Sequence, residues 1–294
     1  MIPLSIVATA ETFLEKRTAV TGRIEETKML GGGSINDCCM LKYQGKKFFM
    51  KWNSSERFPG MFKAEATGLA LLSETDCIKT PEIIGLSEDN SYSFLLLEFF
   101  EAGIYSPDFW RNFGKQLACL HQTTSPLFGL NHNNYIGSIN QQNDFRLNWT
   151  DFFIEMRLEP MIRLATQKGL IENSTRIAFD RLFNKLEGLF PKEVPSLLHG
   201  DLWSGNFLCD TNRQAVIFDP AVYFGNREMD IAMTKLFGGF DALFYEAYNQ
   251  SFPLEKGWLQ RTDLCNLFPL MVHVNLFGGS YHSQVKTILK YFVG

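Results

Sequence analysis

The periodicity of the chain changes once, near residues 98–106, and that change constrains the fold more than any other feature. Before it, apolar residues come in short runs broken by Gly, Asn and Asp. Ile24–Leu30 is strand-like and runs into the turn Gly31-Gly32-Gly33-Ser34. Cys38–Tyr43 and Lys47–Trp52 flank Gln44-Gly45 and predict a hairpin. Glu82–Leu86 and Tyr92–Phe99 predict two more strands, with a turn at Glu88-Asp89-Asn90. Residues 5–16 have helical texture with Ser5 as N-cap. Residues 61–74 are rich in helix formers and carry an apolar face of Phe62, Ala66, Leu69 and Leu72.

After the change, helical spacing dominates. Pro107–Gln122 carries Trp110, Phe113, Leu117 and Leu120 at helical intervals. Asn148–Lys168, Thr175–Phe190, Glu228–Leu236, Asp241–Gln250, Leu259–Leu276 and Tyr281–Phe292 follow. Only 197–219 interrupts, with strand-like runs at Leu197–Leu198 and Ala215–Phe218. A sheet-rich part followed by a helical part predicts an α+β fold. The 294 residues are enough for two cores, so two lobes are expected, 1–100 and 101–294.

The bulk numbers exclude several classes. Net charge is −4, and no basic stripe occurs, so nucleic acid is not an expected partner. The best apolar run, Phe94–Phe100, is short and broken by Glu98, so no membrane span is expected. The opening MIPLSIVATAE has no basic stretch before its apolar residues and reads as a helix start, not a signal peptide. No C-x-x-C occurs among Cys38, Cys39, Cys77, Cys119, Cys209 and Cys265. Five of the six have apolar neighbours, which predicts buried free thiols and a reducing cytoplasm.

The chemistry concentrates in "LLHGDLWSGNF", residues 197–207. Asp201 is the only one of thirteen Asp residues with an Asn five positions on. The next strand-like run ends in Phe218-Asp219-Pro220. Singly, each residue suits an ordinary turn. Together they supply what phosphoryl transfer requires. One carboxylate, Asp201, accepts the hydroxyl proton, and Asn206 and Asp219 offer hard oxygens to magnesium. His199 reads as a residue that fixes the loop's shape rather than a proton relay. Gly31–Gly33 is neither G-x-G-x-x-G nor a Walker loop, but its glycines let backbone N–H groups approach phosphate. Lys51, among Phe48, Phe49, Met50 and Trp52, needs an anion. Glu65 or phosphate oxygens would serve.

This order of features resembles the protein-kinase-like fold of small-molecule kinases, with H-G-D for the H-R-D of protein kinases. More narrowly, the chain resembles the fructosamine-3-kinase (ketosamine kinase) family. The resemblance rests on GGGSIN (31–36), KKFFMKWN (46–53), MFKAEATGL (61–69), FWRNFGKQLACLH (109–121), NNYIGS (133–138), LLHGDLWSGN (197–206), FDPAVYFGNREMDIAMTKLFGGF (218–240) and HVNLFGGSY (273–281). It implies a bilobal fold, a nucleotide lobe followed by a catalytic one. Asp201 matches the catalytic base, and Asn206 and Asp219 match magnesium ligands, with D-P-A for D-F-G. Lys51 matches the phosphate-binding lysine and Glu65 its ion-pair partner. Gly32, Gly33 and Ser34 match the phosphate loop, and Glu98, Phe99 and Phe100 the hinge that binds adenine. Asp230 matches an aspartate that braces the catalytic loop. Trp203 matches either a wall of the sugar site or a packing residue. Arg227 and Glu228 match either substrate contacts or a structural ion pair. Some relatives have a cysteine where Ser34 stands, so a thiol switch at that position is not expected here.

The implied cofactors are ATP and Mg2+. The implied substrate is a ketosamine, free or on a protein amine, with ribulosamine or erythrulosamine preferred over fructosamine. Its phosphorylation product is unstable and releases the amine. An aminoglycoside- or choline-type kinase would share the catalytic set but not the WSGN loop or the DPAVYFGNREMD block. A protein kinase would need an A-P-E segment after Asp219, and none follows. A catalytically inactive nucleotide-binding regulator would have no need of Lys51, Asp201, Asn206 and Asp219 together. Monomer and weak dimer are both compatible with the sequence.

Overall fold

A computed structural model describes residues 2–31 and 35–294. The first half builds one antiparallel sheet from β1 (Glu26–Leu30), β2 (Asp37–Tyr43), β3 (Lys46–Ser54), β4 (Ile83–Glu88) and β5 (Tyr92–Glu98). Their spatial order is β1-β2-β3-β5-β4. The β2–β3 hairpin turns at Gln44 (φ 50°) and Gly45 (φ 70°). Two successive positive φ values give the turn whose twist matches paired strands.

Strand parity then sorts the side chains. Phe48, Met50 and Trp52 on β3 join Cys39, Leu41, Tyr43, Phe94 and Leu96 on one face. Helix α1 (Leu4–Thr18) covers that face with Ile6, Ala10 and Leu14, spaced four apart. Phe49, Leu95 and Leu97 point to the other face, under Phe62, Ala66 and Leu69 of α2 (Met61–Ser73). Lys51 has the parity of Phe49 and therefore faces α2. Two helices thus sandwich the sheet, α1 preceding it and α2 inserted between β3 and β4, where the two helical stretches were expected. Ser5 does not cap α1. The helix begins at Leu4 with Pro3 at the cap position, and the Ser5 carbonyl accepts a hydrogen bond from Thr9 Oγ1 (3.0 Å).

The second half is mostly helical. Ser106 caps α3 (Pro107–His121), whose Phe109, Phe113 and Leu117 are buried. A small hairpin follows, β6 (Asn134–Ile136) and β7 (Ile139–Gln141), which periodicity does not predict. The expected helix over 148–168 is one helical run in three pieces: α4 (Trp149–Phe152), a π-helical turn (Phe153–Leu158) and α5 (Glu159–Gln167). Pro160, near the start of α5, has no N–H to donate, and the ladder widens just before it, with the Glu159 N–H donating to Ile154 O. Helix α6 (Asn173–Phe183) ends earlier than expected, before a short 3-10 turn at Leu186–Gly188.

The interruption expected over 197–219 runs on to residue 225 and holds four strands where two were expected. β8 (Ser196–Leu198) pairs with β11 (Tyr223–Gly225), and β9 (Phe207–Cys209) pairs with β10 (Ala215–Ile217). Helices α7 (Glu228–Leu236), α8 (Ala242–Ser251), α9 (Trp258–Phe277) and α10 (Ser280–Val293) complete the chain. Between residues 264 and 275 of α9, only His273 is not buried.

Several contacts join the two halves beside the site. The Ile217 N–H donates to Lys79 O, tying β10 to the segment after α2 (3.0 Å). Tyr135 Oη, on β6, donates to Pro59 O, just before α2 (3.0 Å). Cys77, after α2, is disulfide-bonded to Cys119 of α3. That bond corrects the expectation of free thiols for Cys77 and Cys119, while Cys38, Cys39, Cys209 and Cys265 are free and the last three are buried. Cys119 lies on the exposed face of an amphipathic helix, and Cys77 is brought to it by tertiary packing. The bridge closes a 42-residue separation. The chain-entropy argument gives it about 4 kcal/mol as an upper figure. Replacing both cysteines by Ser is expected to lower the thermal midpoint by several degrees. Reductant should produce a similar fall in the wild-type protein and none in the double variant, read by circular dichroism melts.

Candidate active site

Residues 199–206 form the loop between β8 and β9, and the Asp219 turn lies between β10 and β11. Asp230, near the start of α7, holds the first of these loops. Its two carboxylate oxygens accept the backbone N–H groups of His199 (2.7 Å) and Gly200 (2.9 Å). His121, the last residue of α3, reaches the same carboxylate through Nε2 (3.2 Å), and its Nδ1 meets Tyr248 Oη (2.8 Å). Burial works against the charge on Asp230, but His121 and the loop N–H groups outweigh it and hold the carboxyl below its usual range. His121 carries an unused sequence signal. It falls four residues after Leu117 on the buried face of α3, where an imidazole needs polar partners.

His199 is fully buried within the loop's backbone. Its Nε2–H donates to Phe218 O (3.0 Å), and its Nδ1 accepts from the Asp201 N–H (3.3 Å). A carbonyl only accepts, so these two bonds set the tautomer. Burial lowers the imidazole pKa and keeps it neutral. His199 thus ties the Asp201 loop to the strand that ends in Asp219.

Asn206 turns its amide nitrogen towards Asp201. Its Nδ2 donates to Asp201 O (2.8 Å) and to Asp201 Oδ2 (3.0 Å). That leaves Asn206 Oδ1 for another partner. Burial raises the Asp201 pKa to about 7, against the lowering effect of the Asn206 bond. Asp219 stands nearby with its side chain half exposed, and its Oδ1 accepts from Lys51 Nζ (2.5 Å). Lys51 Nζ also meets Glu65 Oε1 at 2.5 Å, as strand parity requires. Burial opposes the charge of Lys51, but Asp219 and Glu65 outweigh it and hold the ammonium above its usual pKa.

These groups line one cleft of about 540 Å³. Lys51, Glu65, Asp201, Asn206, Asp219 and Trp203 all face it. So do Gly31 and Cys38, whose thiol burial pushes up to about 11. Gly32, Gly33 and Ser34 lie outside the described residues. Glu98, Phe99 and Phe100 are not among the walls of this cleft. Glu98 and Phe99 border a separate groove with Arg17, Lys46 and Glu82, and the Glu98 N–H already donates to Glu82 O (2.9 Å).

Arg227 is not placed for substrate. It is 3% exposed, and its guanidinium is occupied by Glu193 (2.7 Å), Phe252 O (2.7 Å) and Pro253 O (2.6 Å). Glu228 is paired with Arg261 instead (2.5 Å). Arg227 and Glu228 each form a structural ion pair, but not with each other.

The open end of the cleft is aromatic. Trp203 packs edge-to-face on Phe237 (5.9 Å), and His273 lies against Phe237 (4.7 Å) and Tyr281 (4.9 Å). His273 Nδ1–H donates to Pro269 O (2.7 Å), which leaves Nε2 as the acceptor in a neutral ring. Asn134, Tyr135 and Ile136 of β6 form the facing wall.

The chain is similar to known proteins along nearly its whole length. A family model described as fructosamine kinase matches residues 6–293. A probable ketoamine kinase of Synechocystis sp. is 38% identical over 293 residues, covering 98% of each chain. A probable ketoamine kinase of Enterococcus faecium is 40% identical over 263 residues, covering 89% of this chain and 93% of the relative. A crystal structure assigned as a fructosamine-3-kinase from Haemophilus somnus superposes with a TM-score of 0.87 at 30% identity, covering 97% of both chains. An aminoglycoside phosphotransferase solved with AMP-PNP and hygromycin B shares the fold, with a TM-score of 0.63 at 13% identity over 97% of this chain and 99% of the other. With a kinase-like fold, a cleft that joins Lys51 to Asp219, and this likeness along nearly its whole length, the chain belongs to the fructosamine kinase family.

Proposed function

We propose that the protein transfers the γ-phosphoryl group of ATP to a hydroxyl of a ketosamine, with Mg2+ as the metal. The observation that carries this reading is the meeting of Asp201, Asn206, Asp219 and Lys51 in one cleft, from segments up to 168 residues apart. Asn206 Oδ1 and the Asp219 carboxylate are a hard-oxygen pair of the kind magnesium accepts. When bound, the metal would neutralise charge on the phosphates. Lys51, held charged and aligned by Glu65, binds phosphate oxygens. The backbone of Gly31–Ser34 is assigned to the phosphates, and the Glu98 carbonyl with the backbone of Phe99 and Phe100, beside the cleft and not among its walls, to adenine.

Asp201 accepts the hydrogen bond of the attacking hydroxyl. The transition state is loose, so the carboxylate mainly orients the oxygen and takes its proton late. Positioning and charge stabilisation supply most of the rate. Trp203 and His273 are assigned to the acceptor side, where the sugar lies against the indole. The phosphorylated ketosamine then loses its amine, which completes deglycation.

The test is Mg-dependent ADP release with ribulosamine, erythrulosamine and fructosamine, beside choline and an aminoglycoside. Turnover is expected on the ketosamines, the two smaller sugars ahead of fructosamine. Intact ATP binding with no ADP release on any of the five would make the chain a nucleotide-binding regulator instead. A raised Asp201 pKa sets the pH dependence. The ionised carboxylate dominates only above about 7, so kcat/KM should fall as pH drops through about 7. A flat profile from pH 6 to 8 would sink this role for the raised carboxyl.

A further inference from the structure

Among the described candidate site residues, Asp219 alone combines a polar side chain with a left-handed backbone, φ 55°. A non-glycine residue persists there only when its surroundings over-determine it. One side of its turn is tied to the catalytic loop. The Phe218 N–H donates to Asn206 O (3.1 Å), and the Ala221 N–H donates to His199 O (2.9 Å). The other side is held by two amides from the small hairpin. Gln141 Nε2 donates to Ala221 O (3.1 Å), and Asn134 Nδ2 donates to Val222 O (2.8 Å). Both side chains are buried, at 2% and 3% exposure.

These amides are themselves anchored. Asn134 Oδ1 accepts from Gln141 Nε2 (2.8 Å) and Asn143 Nδ2 (3.0 Å). Asn143 Oδ1 accepts from Arg157 Nη2 (2.7 Å). Arg157 sits on the π-helical turn, wholly buried, with its guanidinium 3.9 Å from the centre of the Tyr223 ring. No carboxylate among the described residues pairs with it. A buried cation without an anion is costly, and Gln141 Oε1 and Arg157 Nε are buried without partners. An apolar filling would be the cheaper way to support a hairpin. What this network does instead is grip consecutive residues, Ala221, Val222 and Tyr223, immediately after the Asp219 turn.

We infer that Asn134 and Gln141 are positioning residues for Asp219: their amides clamp the two carbonyls after Pro220 and hold the carboxylate on the side of Asn206 Oδ1. The inference rests on the reading of Asp219 as a metal ligand. Groups that orient a ligand typically change metal affinity by about ten- to a hundredfold when removed. The test is electron paramagnetic resonance titration of Mn2+ into the intact protein with ADP, for wild type and Gln141→Met. Methionine keeps the length and volume and loses both donors. Mn2+ affinity is expected to fall about tenfold, while ADP affinity without metal stays within about twofold. Raising Mg2+ should restore much of the lost turnover. A folded Gln141→Met protein with wild-type Mn2+ affinity overturns the inference. If that variant does not fold, Gln141→Asn, which withdraws the amide by one methylene, is read the same way. Absence of Mn2+ binding in the wild-type ADP complex would overturn the metal reading and this inference with it, a result separate from unchanged affinity in the variant.

Discussion

Replacing Asp201 with Asn is expected to lower turnover at least about a hundredfold, the scale for removing one group from a preorganised site. The substitution is nearly isosteric. An amide oxygen at the position of Oδ2 can still accept from Asn206 Nδ2, so the 3.0 Å contact survives and Asn206 keeps its orientation. What is lost is the carboxylate that orients the acceptor hydroxyl and takes its proton. Nucleotide affinity, metal affinity and thermal midpoint should therefore stay near wild type while kcat collapses. The pH limb near 7 should vanish from the residual activity. Turnover within about tenfold of wild type would show that another group does this work.

Replacing Gly200 with Ala is expected to be nearly as damaging, for a reason that is wholly geometric. Gly200 has φ 81°, and a Cβ built on it would lie 2.1 Å from the Ala221 carbonyl oxygen. That oxygen is backbone and cannot swing aside. The Ala221 N–H is bonded to His199 O, and the Gly200 N–H is bonded to Asp230. Relief of the clash has to move the Asp219 turn away from the catalytic loop. Turnover is expected to fall by at least about tenfold, and left-handed strain alone costs on the order of 1–3 kcal/mol. Gly188→Ala is the control, because a Cβ there meets nothing within 4 Å. It should leave both activity and melting almost unchanged. Equal activity for Gly200→Ala and Gly188→Ala would refute the close-approach argument.

Gly200 also shows why parts of the site are legible in the sequence and parts are not. The triplet His199-Gly200-Asp201 is visible as a pattern, but the glycine's reason lies in a segment twenty-one residues on. The Asp201–Asn206 spacing is local, and so is its consequence, an amide that reaches back to its own loop. Strand parity puts Lys51 on the side of Phe49, but both faces of this strand are apolar, so packing decides that α2 covers that side. A helix of suitable length after that strand then puts Glu65 over it.

Other features follow from partners that no local pattern can pair. Arg227 and Glu228 are adjacent, which suggests one ion pair. Yet each is held by a different residue, Glu193 and Arg261. Adjacent positions at the start of a helix point in different directions, so packing chooses separate partners. The β6–β7 hairpin is three residues per strand, too short for alternation to declare itself. Its amides matter because they land on Ala221 and Val222, some eighty residues away.

By itself the sequence determined the α+β division, most of the helices and strands, and the residue types able to move a phosphoryl group. These depend on period-2 and period-3.6 patterns and on spacings within one loop. Only the tertiary structure decided that Cys77 and Cys119 are bonded, that His121 and the backbone N–H groups of the loop share one carboxylate of Asp230, and that buried amides hold the Asp219 turn. Each of those outcomes depends on long-range packing, where a buried polar group takes whichever partner the folded chain brings within hydrogen-bond reach.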